Sequence, residues 1–277
     1  MRGTKRAVGV LASITLGLAG QAGPFGLSLS PGTQALLAQV EKAFHHSIVE
    51  RSLDDGQLLG SSYVNEEGFP VVSLSPTGKN EPTLAHELMH LMLRSEGYAD
   101  VLHLMPDGSA PTGIAALELN SALLLIRDPI EHWIFAPRLK KLGLNPDQYN
   151  VERMRGFLKD GQFRGLAPAT EDSMRAVFYY EAVLVLDHDP DLLQQIKDRY
   201  ERNGWLKERE IGESMAAVVL QAQPSSPEEE ISCYVACCNL IFAGKVHFAV
   251  TGWDTREMGS FKQRLVYIAT SAPTSVQ

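Results

Sequence analysis

The segment from Asn80 to Gly97 constrains this chain more than any other, because it combines clear helix boundaries with polar residues among apolar ones. Asn80 is a favoured N-cap residue, and Glu81 and Pro82 suit the first helical turn. Gly97 is a favoured residue just after a helix end. Between these limits, apolar residues recur at helical spacing: Leu84, Leu88, Leu91 and Met92. The sequence therefore predicts a largely buried helix whose polar side chains need partners.

Residues 86–90 of this helix read H-E-x-x-H. Positions i and i+4 lie on one helix face, so the imidazoles of His86 and His90 can bind one metal ion. Neutral imidazole is a favoured ligand of Zn²⁺, and Glu87 is close enough to accept a proton from a zinc-bound water. Two histidines paired with other protein groups are the alternative, but the burial of the helix favours a zinc site.

A catalytic zinc usually has three protein ligands and one position for water, so a third ligand is expected. Glu131 is the first candidate, because it lies in a polar cluster inside an otherwise apolar helix. Glu118 and Asp128 are the alternatives. One extended motif, H-E-x-x-H-x-x-G-x-x-H, is excluded because the chain has Leu93 and Glu96 at its last glycine and histidine positions.

The segment TLAHELMHLMLR resembles the active-site helix of the zincin metallopeptidases, and a distal glutamate after it is similar to the gluzincin arrangement. The resemblance covers roughly residues 69–135. It implies that His86, His90 and Glu131 bind zinc. It also implies that Glu87 is the general base that activates water and later protonates the leaving amine. The thermolysin-like second motif, N-E-x-x-x-D, is not present around Glu131.

Hydrolysis by this mechanism also needs a hydrogen-bond donor for the oxyanion. His132 is the candidate, because it follows Glu131 directly in the sequence. Tyr179 and Tyr180 are alternatives, although an aromatic pair on an apolar helix is more typical of a core.

The whole chain has 277 residues, of which 44% are hydrophobic, so it can bury a full core. Its patterns predict an α-dominated α+β fold, with a small edge sheet beside the H-E-x-x-H helix and a mostly helical C-terminal half from about residue 160. We expect one zincin-like catalytic domain over residues 23–270 and a frayed tail at 271–277. A formal charge of −8 without a basic stripe argues against nucleic acid as a partner.

Local periodicity and turn residues predict the individual elements. The predicted helices are Pro31 to Arg51, Gly113 to Arg127, Ile130 to Leu142, Glu171 to Leu186, Pro190 to Asn203, Lys207 to Gln221 and Pro227 to Ala243. Pro129 and Pro137 are expected to interrupt the region around Glu131. Strands are predicted at Phe69 to Leu74, where Pro70 suggests an edge, and at Val246 to Val250. Residues 54–68 and 101–112 are predicted to be turns and loops.

The first 22 residues are organised like a secretory signal. A cationic start is followed by an uncharged apolar stretch from Ala7 to Gly20 and by a small-residue cleavage site that ends at Ala22. This stretch is too short to span a bilayer comfortably, and no other stretch is long and apolar enough. We therefore expect export to the periplasm or the extracellular space, with no stable membrane span.

The remaining cysteines and histidines carry no clear motif. Cys233, Cys237 and Cys238 lie close together on one predicted helix, where they cannot readily form disulfides with each other. We expect them to be buried as small apolar residues, with a second metal site as the weaker alternative. His103 and His188 are expected at the surface or in loops.

Together these patterns predict an exported zinc peptidase that acts on a peptide or protein substrate. Two alternatives stay open: a non-catalytic helical binding protein with a structural or vestigial metal site, and a zinc hydrolase of a non-peptide amide. The intact Glu87 favours catalysis, because a structural zinc site would not need it.

Overall fold

The computed structural model describes residues 23–54, 59–104, 113–146, 148–160 and 168–271. The predicted signal at residues 1–22 and the tail from residue 272 onward lie outside these ranges. Within them the chain forms an α-dominated α+β fold, as the sequence predicts, and has eight α-helices and two small sheets where one sheet was expected. None of the helices in the described ranges is apolar over a length that could cross a bilayer.

After a 3₁₀ turn at Pro24–Gly26, the elements follow in a mixed order. The helices are α1 (Pro31–Phe44), α2 (Glu81–Ser95), α3 (Gly113–Lys141), α4 (Gln148–Asp160), α5 (Pro168–Val185), α6 (Pro190–Asn203), α7 (Leu206–Ala222) and α8 (Pro227–Ile241). The strands are β1 (Val49–Ser52), β2 (Gly60–Val64), β3 (Pro70–Leu74), β4 (Asp100–Leu104), β5 (His247–Met258) and β6 (Phe261–Ser271). The main hydrophobic core contains residues from α1, α2, α3, α5, α7, α8 and both sheets.

The first sheet has the order β1-β3-β2, with β1 parallel and β2 antiparallel to β3. All five residues of β3 are buried, so β3 is the central strand and the predicted edge position is wrong. Pro70 is tolerated there because it is the first residue of the strand. The strand that contacts α2 from the edge of the sheet is β2, in a region that was predicted to consist of turns.

Helix α1 ends earlier than its predicted limit at Arg51. His45 adopts a left-handed conformation with φ of 57°, which ends the helix after Phe44. The chain then forms β1, so the last residues of the predicted helix are in fact a strand.

The second sheet has the order β4-β6-β5, in which β4 is parallel to β6 and β5 and β6 form an antiparallel hairpin. β4 lies in a segment predicted to be a loop. The strand that pairs with it, β6, lies near the other end of the chain, so no local pattern indicates the pairing. His103 on β4 is buried, not exposed as predicted, and its Nε2 lies 2.9 Å from the hydroxyl of Tyr234.

Helix α2 begins and ends as predicted. Asn80 Oδ1 accepts a hydrogen bond from the amide of Thr83 at 2.9 Å, which satisfies one free amide of the first turn. Gly97 follows the helix with φ of 91°, a conformation that costs little only for glycine. Leu84 and Leu88 are fully buried, and such side chains contribute about 1.5–3 kcal/mol each.

Helix α3 is continuous, whereas the sequence predicts interruptions at Pro129 and Pro137. Each internal proline removes one backbone hydrogen bond and crowds the preceding turn. Burial of apolar neighbours such as Ile130 offsets this cost, and α3 packs against α2, α5 and α8. The continuous helix brings Glu131 and His132 against α2.

The helices of the C-terminal half follow their predicted segments closely. Helix α8 begins with a capping box, in which Ser226 and Glu229 each bind the other's backbone amide. Its three cysteines, Cys233, Cys237 and Cys238, are buried and free, as predicted.

Candidate metal centre

Three histidines meet where α2 and α3 pack together. Helix α2 contributes His86 and His90, which share one helix face, and α3 contributes His132. One ligand atom from each ring lies within 4.8 Å of the other two. The buried ring of Phe135 packs against all three imidazoles at centroid distances of 5.0 to 5.2 Å. The cluster therefore combines imidazole nitrogens with an apolar surround.

The spacing of the nitrogens on α2 suits a single ion. Nε2 of His86 lies 3.2 Å from Nε2 of His90. Two nitrogens bound to one zinc at about 2.0–2.1 Å with tetrahedral angles are about 3.3 Å apart. An N–H···N hydrogen bond between the two rings would fit the same distance, but it would leave the third imidazole without a partner.

Both ring nitrogens of His132 are buried, and neither has a hydrogen-bond partner among the described residues. Asp128 Oδ2 lies 3.2 Å from Nε2 of His132, outside hydrogen-bond geometry, and Asp128 Oδ1 lies 3.7 Å from Nε2 of His90. An unpaired buried polar group costs about 1–3 kcal/mol. The position of His132 thus favours a ligand role over the predicted role as donor to the oxyanion.

Glu131 does not lie beside the Nε2 atoms of His86 and His90, where a third ligand would have to be. Its Oε2 accepts a hydrogen bond from Nδ1 of His90 at 2.6 Å. Nδ1 and Nε2 point away from each other across the imidazole ring, and Nε2 is the atom that faces His86. Glu131 therefore contacts the back of His90, and it is His132 that the structure brings beside His86 and His90.

Two arginines keep Glu131 ionised. Nη1 of Arg94 and Nη2 of Arg127 each lie 2.9 Å from Glu131 Oε1. Burial would raise the pKa of Glu131, but these guanidinium groups and the hydrogen bond from His90 hold it well below its usual range. Because a carboxylate can only accept, His90 carries a proton on Nδ1, and in the neutral ring the lone pair is then on Nε2.

The carboxylate of Glu87 lies beside strand β2. Ser62 Oγ donates a hydrogen bond to Glu87 Oε2 at 2.8 Å. A Cβ added to Gly60 would lie only 2.8 Å from Glu87 Oε1, so glycine leaves room for this carboxylate. Glu87 is 6% exposed, and burial raises its pKa. A carboxylate with a raised pKa is a better general base near neutral pH.

The charges around the cluster favour metal binding. Burial lowers the pKa of His86 well below its usual value, and the neighbouring imidazoles of His132 and His90 lower it further. Burial would raise the pKa of Asp128, but the same three imidazoles hold it well below its usual range. A neutral imidazole beside an ionised carboxylate is the protonation state that binds zinc.

Of the remaining candidates, one cannot be placed and two lie in the core. Glu118 belongs to α3, but its side chain lies outside the described residues. Tyr179 and Tyr180 are buried in the core, and the hydroxyl of Tyr179 donates to Glu213 Oε1 at 3.3 Å.

The sequence did not predict the contact of Ser62 with Glu87 or the contacts of Arg94 and Arg127 with Glu131. No sequence pattern indicates Ser62, which lies in a segment predicted to consist of turns. The spacing does indicate Arg94, since it lies four residues after His90 and therefore on the same helix face. Arg127 likewise lies four residues before Glu131 on α3.

Comparison of the chain with protein-family models, with curated proteins and with solved structures gives no match.

Proposed function

We propose that this chain is a zinc-dependent hydrolase of the zincin type that cleaves peptide bonds. The observation that carries the proposal is the convergence of His86, His90 and His132, whose ligand atoms lie within 4.8 Å of one another, next to the buried Glu87. Three imidazoles suit zinc and leave one position for water. The orphaned nitrogens of His132 support the same donor set. When bound, zinc supplies Lewis acidity and lowers the pKa of water.

Glu87 moves the proton in the proposed reaction. It accepts a proton from the attacking water and transfers it to the leaving amine. Ser62 holds Glu87 Oε2 by a hydrogen bond at 2.8 Å, so the carboxylate starts from one orientation. Glu131 fixes the tautomer and the ring orientation of His90, which keeps the Nε2 lone pair directed at the centre.

Strand β2 favours an extended peptide as the substrate. It is the outer strand of its sheet, and no strand in the described ranges pairs with its outer edge. An extended peptide can add to such an edge through main-chain hydrogen bonds. Since Ser62 of β2 contacts Glu87, a peptide bound there would pass close to the proposed base.

The proposed place of action is outside the cytoplasm. This part depends on the sequence of residues 1–22 alone, with its cationic start, apolar stretch and small-residue cleavage site. Mass spectrometry of the protein from its native host should find an N-terminus close to residue 23. A soluble cytoplasmic protein that keeps Met1 or Arg2 would contradict export.

The central experiment combines metal analysis with a peptide-library digest. Wild type and Glu87→Gln, purified without added zinc, should each contain one zinc per chain. The variant should lose about 10²–10⁴-fold in turnover, because an amide cannot accept the proton of water. Glu96→Gln is the matched control, since Glu96 follows the same helix but pairs with Arg138 on its exposed side.

The alternatives give different results. Zinc binding without cleavage of any peptide would favour either a binding protein or a hydrolase of non-peptide amides, and a small-amide panel separates these two. Wild-type turnover in Glu87→Gln would remove Glu87 from the mechanism. A chain without zinc would overturn the proposed centre.

A further inference from the structure

We propose that Arg127 and Glu230 are positioning residues for the metal ligand His90, and that they connect the centre to helix α8 through Glu131. The inference rests on the proposed zinc site and adds to it a second, more distant set of residues. Neither Arg127 nor Glu230 belongs to the histidine group of the centre, and Glu131 is the residue that joins Arg127 to His90.

The connection is a continuous series of short polar contacts. His90 Nδ1 donates to Glu131 Oε2 at 2.6 Å. Glu131 Oε1 lies 2.9 Å from Arg127 Nη2, and Arg127 Nε donates to Glu230 Oε1 at 2.5 Å. The series therefore passes from α2 to α3 and ends in the first turns of α8, three elements that are far apart in the sequence.

These contacts limit the orientations that Arg127, Glu131 and His90 can adopt. Arg127 donates a hydrogen bond from Nε to Glu230, and its Nη2 forms an ion pair with Glu131, so a turn away from Glu131 would also break the bond to Glu230. Arg94 contacts the same oxygen of Glu131 as Arg127 does, at 2.9 Å. Glu131 Oε2 is thereby left for His90 alone, and the imidazole is held in one orientation.

The three charged side chains of this series are buried, and their desolvation has a free-energy cost. Arg127 is 4% exposed, Glu131 is 3% exposed and Glu230 is completely buried. Buried ion pairs are often no more stabilising than apolar residues of the same size, because desolvation of the charges cancels their attraction. Stability therefore gives little reason for three buried charges, whereas the orientation of a metal ligand gives a direct one.

The test is zinc and Co²⁺ binding by Glu230→Gln. The variant should bind zinc about 10-fold more weakly in a chelator competition, the lower end for a direct partner of a metal ligand, because Glu230 acts through Arg127 and Glu131. Its Co²⁺ complex should show an altered visible spectrum, because Glu131, and with it the ring of His90, is held less firmly. Thermal unfolding of the metal-free protein, measured in parallel, reports any loss of fold separately.

Glu228→Gln is the matched control. Glu228 lies in the same first turns of α8 and also pairs with an arginine, Arg264, at 2.5 Å, but on the exposed side of the helix. This variant should keep the zinc affinity and the Co²⁺ spectrum of the wild type.

A second variant covers the case in which Glu230→Gln does not fold, since it leaves the charge of Arg127 buried without its partner. Arg127→Gln/Glu230→Gln removes both charges and still releases Glu131 on that side. It should again bind zinc more weakly, with the altered Co²⁺ spectrum. Wild-type affinity and spectrum in whichever variant folds would overturn the positioning role. A wild-type chain that binds no zinc would instead overturn the metal centre.

Discussion

The contact between α2 and α3 has two sides that differ in how their polar groups are satisfied. On one side three imidazoles meet, and both nitrogens of His132 have no hydrogen-bond partner among the described residues. On the other side Glu131 accepts a hydrogen bond from His90 and pairs with Arg94 and Arg127. Buried polar groups in folded proteins are normally paired. In the proposed centre the incomplete side is the one that would take the metal ion, and the other side supports it through His90.

His90 belongs to both sides of this contact. His90 turns Nδ1 to the paired side and Nε2 to the unpaired side. A buried cluster of imidazoles without such a partner would be free to change tautomer and lose its lone pair at the centre. Changes on the two sides should consequently have effects of different size on metal binding.

The largest effect is expected for His132→Ala, on the unpaired side. Loss of one of three ligands should weaken zinc binding by more than about 100-fold, the upper end for outer partners. Isothermal titration of the metal-free protein measures it. His188→Ala, with a side chain that is 50% exposed, is the control and should bind zinc normally. Normal binding by His132→Ala would remove the distinction between the two sides.

Glu131→Gln, on the paired side, is expected to have a smaller effect, about 10–100-fold on zinc affinity. Glutamine can still accept from His90, but it lacks the charge that pairs with Arg94 and Arg127. The same titration compares it directly with His132→Ala. If Glu131→Gln loses more zinc affinity than His132→Ala, then Glu131 is a ligand after all and the predicted gluzincin-like set is restored.

Asn80→Ala weakens helix α2 without touching either side. Loss of the N-cap hydrogen bond to Thr83 should lower the free energy of unfolding by about 1 kcal/mol. Urea unfolding of the metal-free protein measures this loss, and zinc titration of the same sample should give wild-type affinity. A parallel fall in zinc affinity would mean that any loosening of α2 affects the centre.

The smallest effect, on the free energy of unfolding, is expected for Glu96 and Arg138. These residues form an ion pair between the same two helices on the exposed side of their contact. Arg138 Nη1 lies 2.6 Å from Glu96 Oε1, and the two side chains are 38% and 35% exposed. An exposed pair of this kind contributes about 0–1 kcal/mol, because solvent screens it. A double-mutant cycle with Glu96→Gln and Arg138→Gln should give a coupling in that range. A coupling energy well above about 1 kcal/mol would show that this exposed ion pair stabilises the contact between α2 and α3 as much as a buried pair does.

Local information accounts for the elements that the sequence predicts correctly. Helix α2 has its cap, its apolar stripe and its terminal glycine within one short segment, and α6 matches its predicted limits from Pro190 to Asn203. Strand β4 was missed because its pairing with β6 joins distant segments, and no local pattern reports such a partner. The edge assigned to β3 was wrong for the same reason, since β1 and β2 flank it only in the folded chain.

The sequence by itself determined that His86 and His90 share one helix face with Glu87 between them in the sequence, because i and i+4 spacing on a capped helix is a local property. Only the tertiary structure decided which further side chain joins them. Glu131 and His132 are adjacent in the sequence, but neighbours on a helix point about 100° apart. The rotation of the continuous α3 against α2 turned His132 toward the two imidazoles of α2, and Glu131 toward Nδ1 of His90 and the guanidinium group of Arg94. That rotation depends on packing across the whole core, which no single segment contains.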